Sequence, residues 1–147
     1  MTLYDTKPAN FTPKFHATGV YLECDDEILL LQRHPLKPEG GTWCVAGGKV
    51  DAGETPLQAA IRETREEIGV TVEHLEHIGT YYVQYQNYAF IYSVFRAPLQ
   101  KKPHIVLKAD EHTAYRWMTP QHALTMPLIE DEDAVLCRAY GVKNESR

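Results

Sequence analysis

The order of strand-like and helix-like segments predicts an α+β domain built in layers. Two apolar strand-like segments precede one long amphipathic helix, further strand-like segments follow it, and short helical segments come last. Segments with one apolar face must bury that face against another element, which produces layers of sheet and helix. A chain of 147 residues can bury such a core without disulfide or metal staples, so we expect a single domain over residues 1–147.

The part of the chain before the long helix is predicted to be an extended lead-in followed by a hairpin. Residues 1–13 are punctuated by proline and asparagine, which favours an extended segment. Strands are expected over residues 16–24 and 27–33, with a turn at Asp25-Asp26 between them. The remaining segments before the helix are a loop rich in Pro and Gly over 36–41 and a short strand over 43–45.

The part of the chain after the long helix is predicted to hold a second hairpin, a short strand and two helices. The hairpin is expected over residues 77–85 and 88–95, with Gln86-Asn87 at its turn. Its strands are unusually rich in tyrosine, and aromatic side chains favour strands. The other expected elements are a strand over 115–118, helices over 120–125 and 131–139, and a frayed polar tail over 143–147.

The long helix is specified at both of its ends. Thr55 is a suitable N-cap, Pro56 suits the first helical position, and Gln58 completes a T-x-x-Q capping box. Gly69 stands where a left-handed residue commonly ends a helix. The side that this helix is expected to bury is formed, at 3.6-residue spacing, by Leu57, Ala60, Ile61, Thr64 and Ile68.

Three glutamates on this helix, Glu63, Glu66 and Glu67, are spaced so that one turn brings their carboxylates together. Three like charges at short range repel one another, and a hard divalent cation such as Mg2+ compensates them through oxygen ligands. The alternative is a solvated helix face with ordinary i,i+4 pairs of glutamate and arginine. The glycines and Glu54 before the helix favour the metal site, because a glycine loop lets the backbone approach a ligand closely.

Composition excludes several classes of protein. The net charge of -5 argues against a nucleic-acid binder, whose affinity comes largely from Lys and Arg on phosphates. Three cysteines without a C-x-x-C pair indicate neither a zinc site nor a disulfide framework. We expect a cytoplasmic protein without a targeting segment or a membrane span, since no apolar run approaches the roughly 20 residues that a span needs.

The stretch from Gly48 to Val70 resembles the box of the Nudix hydrolases, G-x5-E-x7-R-E-U-x-E-E-x-G-U, in which U is a bulky aliphatic residue. Thr64 replaces one aliphatic residue, and its methyl group can still face the core. Ala46 replaces the proline of the W-x-x-P-G-G segment that usually precedes the box, a change that removes no ligand. The matching fixed positions are Gly48, Glu54, Arg62, Glu63, Glu66, Glu67 and Gly69.

The resemblance implies a fold and a reaction. The fold is an α/β/α sandwich with a mixed β-sheet between helices, and its pattern covers about residues 14–140. The reaction is hydrolysis of a nucleoside diphosphate linked to another moiety, such as a nucleoside triphosphate, by water attacking phosphorus. The implied cofactor is Mg2+, although the sequence does not separate it from Mn2+, since both ions accept carboxylate and water oxygens.

Roles for the box residues follow from the same resemblance. The implied metal ligands, which are also catalytic, are Glu63, Glu66 and Glu67, together with the carbonyl oxygen of Gly48. Glu54 and Arg62 support these ligands, with Arg62 holding a carboxylate in register through a charge-assisted hydrogen bond.

A general base and the substrate contacts are predicted outside the box helix. Glu111 is the loop candidate for the base, and a solvated loop carboxylate is an equally good interpretation of it. Arg33 and Lys49 are candidates for phosphate contacts. Tyr88 is a candidate for stacking on a base, sharing one strand face with Phe90 and Tyr92, although ordinary sheet core would give the same pattern.

Two further functions stay open at this stage. An isomerase of the isoprenoid-diphosphate type shares the Nudix fold and would need a proton-donating cysteine, for which Cys44 is available. A nucleotide-sensing module without catalysis would be expected to lose box carboxylates, all of which are retained here. The sequence leaves open the nucleotide, the number of metal ions and the oligomeric state, although a homodimer is possible because many family members dimerise.

Overall fold

A sheet of eight strands runs through residues 2–144, the part of the chain that the computed structural model describes. Within those residues, no helix is long and apolar enough to cross a membrane. The strands are β1 (Thr2–Tyr4), β2 (Phe15–Cys24), β3 (Glu27–Arg33), β4 (Trp43–Cys44), β5 (Ala46–Lys49), β6 (Glu76–Gln84), β7 (Ala89–Pro98) and β8 (His112–Met118). The helices are α1 (Pro56–Ile68), α2 (Pro120–Ala123) and α3 (Glu132–Tyr140).

The sheet is mixed, as the family resemblance implied. Its main path runs β1-β6-β7-β2-β3-β4, while β5 pairs with β2 and β8 pairs with β3. Strands β2 and β7 are parallel, from Phe15 opposite Phe90 to Glu23 opposite Pro98, and the other pairs are antiparallel. This long parallel pair places β2, which precedes the box in the sequence, next to β7, which follows it.

In the first predicted hairpin, the two strands pair with each other only next to the turn. Strands β2 and β3 pair at two positions, Glu23 with Ile28 and Cys24 with Glu27. Asp25 and Asp26 both have positive φ, 53° and 64°, which suits a two-residue hairpin turn. Beyond the turn the two strands take different partners, β5 and β7 for β2, and β4 and β8 for β3. The sequence pattern located both strands but could not show this divergence.

Alternate residues of β2 point to opposite sides of the sheet, and each side is covered by helix. Val20 and Leu22 pack into a core cluster with Ala60 and Ile68 of α1. Tyr21, between them, packs on the other side in a cluster that also contains residues of α2 and α3. Helices on both faces of a mixed sheet make the α/β/α sandwich, so the predicted fold class is confirmed.

Helix α1 has the predicted caps, and most of its predicted buried stripe is confirmed, with Leu57 as the exception. The Thr55 hydroxyl accepts from the backbone of Gln58, the reciprocal bond is present, and Gly69 ends the helix at φ 72°. The buried residues are Ala59, Ala60, Thr64, Glu67 and Ile68. Leu57 is 44% exposed, so its predicted burial was wrong. The buried side of α1 therefore includes a carboxylate, which an apolar-pattern argument assigns to solvent.

Residues near both ends of the described chain contact the rest of the fold. Within the predicted lead-in, residues 2–4 form β1, an edge strand that pairs with β6. Of the tail predicted to be frayed, residues 145–147 lie outside the described residues. The carbonyl of Lys143 accepts a hydrogen bond from the Gln121 side chain at 2.9 Å.

The short strand β5 depends on a glycine. Gly47 has φ 150°, and a Cβ placed on it would lie 2.0 Å from the Thr18 carbonyl oxygen on β2. Gly53, in the following loop, has φ 79° with nothing within 4 Å of an added Cβ. A side chain at Gly47 would therefore force β2 and β5 apart, whereas one at Gly53 costs only backbone strain.

We predict that Gly47→Ala is more destabilising than Gly53→Ala, the matched control. The control should lose about 1–2 kcal/mol, the cost of a left-handed alanine. Gly47→Ala should lose about 3 kcal/mol or more, because overpacking of the β2–β5 pair adds to the strain. Urea unfolding monitored by circular dichroism measures both. Equal losses in the two variants would contradict the tight approach of β5 to β2.

Candidate active site

The side chain of Arg62 joins the carboxylates at the exposed end of the box. Its Nε and Nη2 donate to the two carboxylate oxygens of Glu54, at 2.8 and 3.0 Å. Its Nη1 donates to Glu63 at 2.8 Å and to Glu66 at 3.2 Å, and Asp51 lies 3.3 Å from Nη2. A planar guanidinium suits this arrangement because its donors are fixed in a fork.

Glu54 is held in its ionised form by these contacts. The hydrogen bond from Arg62, with a second from the Asp51 backbone N–H, lowers the pKa of Glu54 to about 2. The same pairing raises the pKa of Arg62. Glu54 thus ties the loop before α1 to the helix, the supporting position that the family resemblance implies for both residues.

Glu63 lies against the backbone of Gly48. A Cβ on Gly48 would stand 2.5 Å from the Glu63 carboxylate carbon, so only glycine leaves room for that carboxylate. The Gly48 carbonyl accepts a hydrogen bond from the Thr18 hydroxyl at 3.2 Å. Burial raises the pKa of Glu63, and the hydrogen bond from Arg62 opposes that rise.

Glu67 is the buried carboxylate of the box, only 7% exposed. It accepts a hydrogen bond from the Gly47 backbone N–H at 3.1 Å. Burial, with repulsion from Glu63 and Glu111, raises the pKa of Glu67 to about 8, although the Gly47 bond works in the other direction. The effect of Glu111 on Glu67 shows that this residue, distant in sequence, lies near the box. The Glu111 carboxylate also lies 3.7 Å from Lys108 Nζ.

The predicted metal ligands occupy one region without a preformed carboxylate cluster. Among residues 2–144, no three His, Cys, Asp or Glu side chains converge as a metal site requires. Glu63 and Glu66 turn toward Arg62, while Glu67 turns toward Gly47. The donor set still fits a hard divalent cation, because its oxygens are crowded, partly buried and mutually repelling. The Glu63 carboxylate occupies the space beside Gly48, which places it next to the backbone of that residue.

A cavity of about 730 Å³ opens beside the box. Its lining includes Gly48, Glu67 and Glu111, whereas the other two predicted carboxylate ligands, Glu63 and Glu66, are not among its lining residues. The three predicted substrate residues, Arg33, Lys49 and Tyr88, line the same cavity. This volume is typical of small-molecule sites.

The predicted substrate residues are held in different ways. Arg33 Nε donates to the Pro38 carbonyl at 2.8 Å, which fixes the side chain at the start of a loop. Lys49 Nζ lies 4.6 Å from the centre of the Phe15 ring, within cation–π range. Tyr88 is 38% exposed, so its ring is accessible to a ligand.

Four rings with similar orientation form one side of the cavity, which we call the aromatic wall: Phe15, Tyr85, Tyr88 and Phe90. Phe15 and Phe90 stack at 5.0 Å with planes 8° apart, and Tyr85 meets Phe90 at 5.6 Å and 20°. Tyr88 lies 4.7 Å from Tyr85 at 30°. An aromatic ligand could extend this stack at an accessible ring such as Tyr88.

Several cavity residues were not identified from the sequence. Phe15 joins the wall because the parallel register places it opposite Phe90, a pairing that no local pattern reveals. His112 lies beside Cys44, with Nε2 3.6 Å from the sulfur, and burial lowers the pKa of this histidine. Burial also raises the pKa of the Cys44 thiol to about 12, which keeps it neutral. Glu132 lines the cavity from α3, where its helical position gave no sign of burial.

Comparison with known proteins agrees with the fold and the box. A family model of the NUDIX domain matches residues 13–139. The CTP pyrophosphohydrolase of Escherichia coli K12 is 35% identical over 107 residues, covering 73% of this chain and 77% of that protein. The 8-oxo-dGTP diphosphatase of Proteus vulgaris is 46% identical over 69 residues, which are 46% of this chain and 61% of that protein.

A solved structure agrees as well. The crystal structure of a MutT NUDIX hydrolase from Burkholderia pseudomallei superposes with a TM-score of 0.71 at 27% identity. The match covers 84% of this chain and 96% of that one. The chain therefore belongs to the Nudix family and is a Nudix hydrolase, an enzyme of the class that acts on phosphorus-containing acid anhydrides.

The Glu54–Arg62 pair predicts how stability depends on pH. Because the pKa of Glu54 is lowered to about 2 in the folded protein, its contribution to the free energy of unfolding is fully present above the pKa of the unfolded state, about 4.3. This contribution is lost as the pH falls through the pKa of the folded state. We therefore expect Glu54→Gln to be less stable than the parent near neutral pH, with the difference shrinking below about pH 4.

Urea unfolding at several pH values measures this difference. Glu73→Gln, which removes an exposed glutamate beyond α1, is the matched control and should leave the difference near zero throughout. A gap between parent and Glu54→Gln that stays constant down to about pH 2 would contradict the lowered pKa.

Proposed function

We propose that this protein is a metal-dependent pyrophosphohydrolase that cleaves a nucleoside triphosphate or another nucleoside diphosphate derivative by water attack on phosphorus. The observation that carries the proposal is one cavity lined by the box residues Gly48 and Glu67 and by the aromatic wall. The relatives named as a CTP pyrophosphohydrolase and an 8-oxo-dGTP diphosphatase support the reaction class.

A divalent cation, Mg2+ with Mn2+ as a substitute, would be held by Glu63, Glu66, Glu67 and the Gly48 carbonyl. When bound, it supplies neutralisation of diphosphate charge and activation of water. The crowded oxygens of Glu63 and Glu67 support this assignment, because repulsion between them needs a compensating charge. Arg62 and Glu54 keep the ligand-bearing turn of α1 in register with the loop before it.

The general base is proposed to be Glu111, with Glu67 as the other candidate in the same cavity. Glu111 is only partly exposed, and its loop is fixed by backbone bonds to Lys108 and His34. A carboxylate in such a position can accept a proton from an attacking water. Its lysine partner, at 3.7 Å, leaves the carboxylate free to turn toward a ligand.

The two ends of the nucleotide are proposed to meet different parts of the cavity. Arg33 and Lys49 supply positive charge near the box, where phosphates would lie. Tyr88 is the accessible ring of the aromatic wall and would stack on the base. Stacking tolerates many bases because every base has a π-face, so this arrangement alone does not choose one nucleotide.

The assembly and setting of the protein stay predictions. We propose that the whole chain forms one domain that binds a small nucleotide rather than nucleic acid, and that it acts in the cytoplasm. A homodimer is possible, and analytical ultracentrifugation tests it directly.

The proposed reaction is tested by incubating pure protein with Mg2+ and a panel of substrates. The panel holds unmodified and oxidised nucleoside triphosphates, ADP-ribose, nucleotide sugars, dinucleoside polyphosphates and an isoprenoid diphosphate. We expect metal-dependent release of a nucleoside monophosphate from one class, analysed by chromatography. Double-bond migration without phosphate release would instead identify the isomerase, for which Cys44 lies in the cavity. Nucleotide binding without turnover would identify a sensing module.

The proposed role of Glu67 predicts the effect of Glu67→Gln. We expect turnover to fall by roughly a hundredfold or more, since a neutral amide is a poor metal ligand and cannot act as a base. The melting temperature should stay equal or rise, because the amide has no charged form for burial to penalise and its oxygen can still accept from Gly47. Glu73→Gln is again the control and should retain parental activity. Full activity in Glu67→Gln would show that the assignment is wrong.

A further inference from the structure

A buried carboxylate borders the cavity at the start of α3. Glu132, the first residue of α3, is only 4% exposed. Its Oε1 accepts a hydrogen bond from the Tyr92 hydroxyl at 3.2 Å, and its Oε2 accepts one from the Tyr21 hydroxyl. Burial raises the pKa of Glu132, and the two hydroxyl bonds oppose that rise. Because both oxygens are engaged by tyrosines, this carboxylate is directed at protein side chains.

The two tyrosines differ in what their rings contact. Tyr21 is fully buried at 0% exposure and packs in the core between β2 and α3. Tyr92 lines the cavity, where its ring meets Phe90 of the aromatic wall at 6.3 Å and 72°. One carboxylate therefore anchors one ring of the core and one ring of the cavity.

The backbone of β2 also makes room for the Tyr92 hydroxyl. A Cβ on Gly19 would lie 2.0 Å from that oxygen, so a larger residue at this position would displace the ring. The Tyr92 side chain is thus confined by Gly19 on one side and by its hydrogen bond to Glu132 on the other. A ring confined in this way keeps one orientation beside the cavity, so ligand binding does not have to restrict its side-chain rotation.

We propose that Glu132 is a positioning residue, which holds the Tyr92 ring nearly edge-on to the aromatic wall and so shapes the seat of the substrate's base. The proposal rests on the proposed function in one respect, namely that the ligand is a nucleotide. Although Glu132 borders the cavity, both of its carboxylate oxygens are engaged by tyrosine hydroxyls, so the proposal gives it no contact with the ligand. Its effect reaches the base through the orientation of Tyr92.

Two single-hydroxyl variants provide a matched test. Tyr92→Phe and Tyr21→Phe each remove one hydroxyl from the same carboxylate, but only Tyr92 lines the cavity. We measure the melting temperature, the Kd for CMP and AMP by calorimetry, and KM and kcat for the nucleotide that the enzyme cleaves.

We expect Tyr92→Phe to raise Kd and KM about tenfold, with the loss in KM rather than in kcat. Tyr21→Phe should lower the melting temperature at least as much while changing Kd by less than about twofold. Glu132→Gln supplies an acceptor oxygen to only one hydroxyl and should weaken binding about threefold or more. The double variant Glu132→Gln/Tyr92→Phe should bind no more weakly than Tyr92→Phe, since both changes act through one ring.

Three results would overturn the proposal. Unchanged Kd and KM in Tyr92→Phe and Glu132→Gln, with lowered melting temperatures, would make the network a stabilising feature only. Equal weakening by Tyr21→Phe would show that binding merely follows stability. Additive losses in the double variant would show that Glu132 does not act through Tyr92. If no nucleotide is cleaved but CMP and AMP bind with the expected pattern, the proposed reaction fails and the positioning role of Glu132 stands.

Discussion

The central constraint in this protein is the placement of two α1 carboxylates, the buried Glu67 and the partly buried Glu63, against a glycine backbone. Glu67 points inward from α1 to the Gly47 N–H, and Glu63 fills the space that Gly48 leaves. Neither arrangement is stabilising by itself, because charged groups lose hydration when they are buried. The fold accepts this cost at the wall of its main cavity, where a divalent cation could recover it.

Much of the surrounding structure can be understood as support for that arrangement. The capping box at Thr55 and the left-handed Gly69 set the ends of α1, so the carboxylates fall on defined turns. Arg62 engages the outer carboxylates, including Glu54 from the preceding loop. Strand β5 is held to β2 by a close approach at Gly47, which fixes the distance between backbone and helix. The site therefore holds its carboxylates in one region through hydrogen bonds, while among the described residues these carboxylates do not yet converge on one point.

Sequence reasoning was strongest where local chemistry determines structure. The caps of α1 and the turn at Asp25-Asp26 are local signals, and both appear in the structure. The burial of Leu57 was predicted incorrectly, because helical spacing identifies the centre of a buried stripe while tertiary packing decides its edges. The burial of Glu67 was not predicted from its helix, because it depends on contact with Gly47 of β5.

Sequence reasoning failed where residues meet through strand pairing. Phe15 reaches the aromatic wall only through the parallel register of β2 with β7. Glu132 meets Tyr21 and Tyr92 because α3 crosses the face of two strands that are remote in sequence. Such contacts depend on register and layer order, which a single sequence does not determine.

The central proposal is that the box carboxylates of α1, of which Glu67 is buried, form a divalent-cation site. The most direct measurement is titration of metal-free protein with Mn2+, followed by electron paramagnetic resonance, for the parent and for Glu67→Gln. The account predicts saturable Mn2+ binding by the parent, displacement of that Mn2+ by Mg2+, and much weaker binding by the variant. Equal binding by parent and variant, or none by the parent, would contradict it.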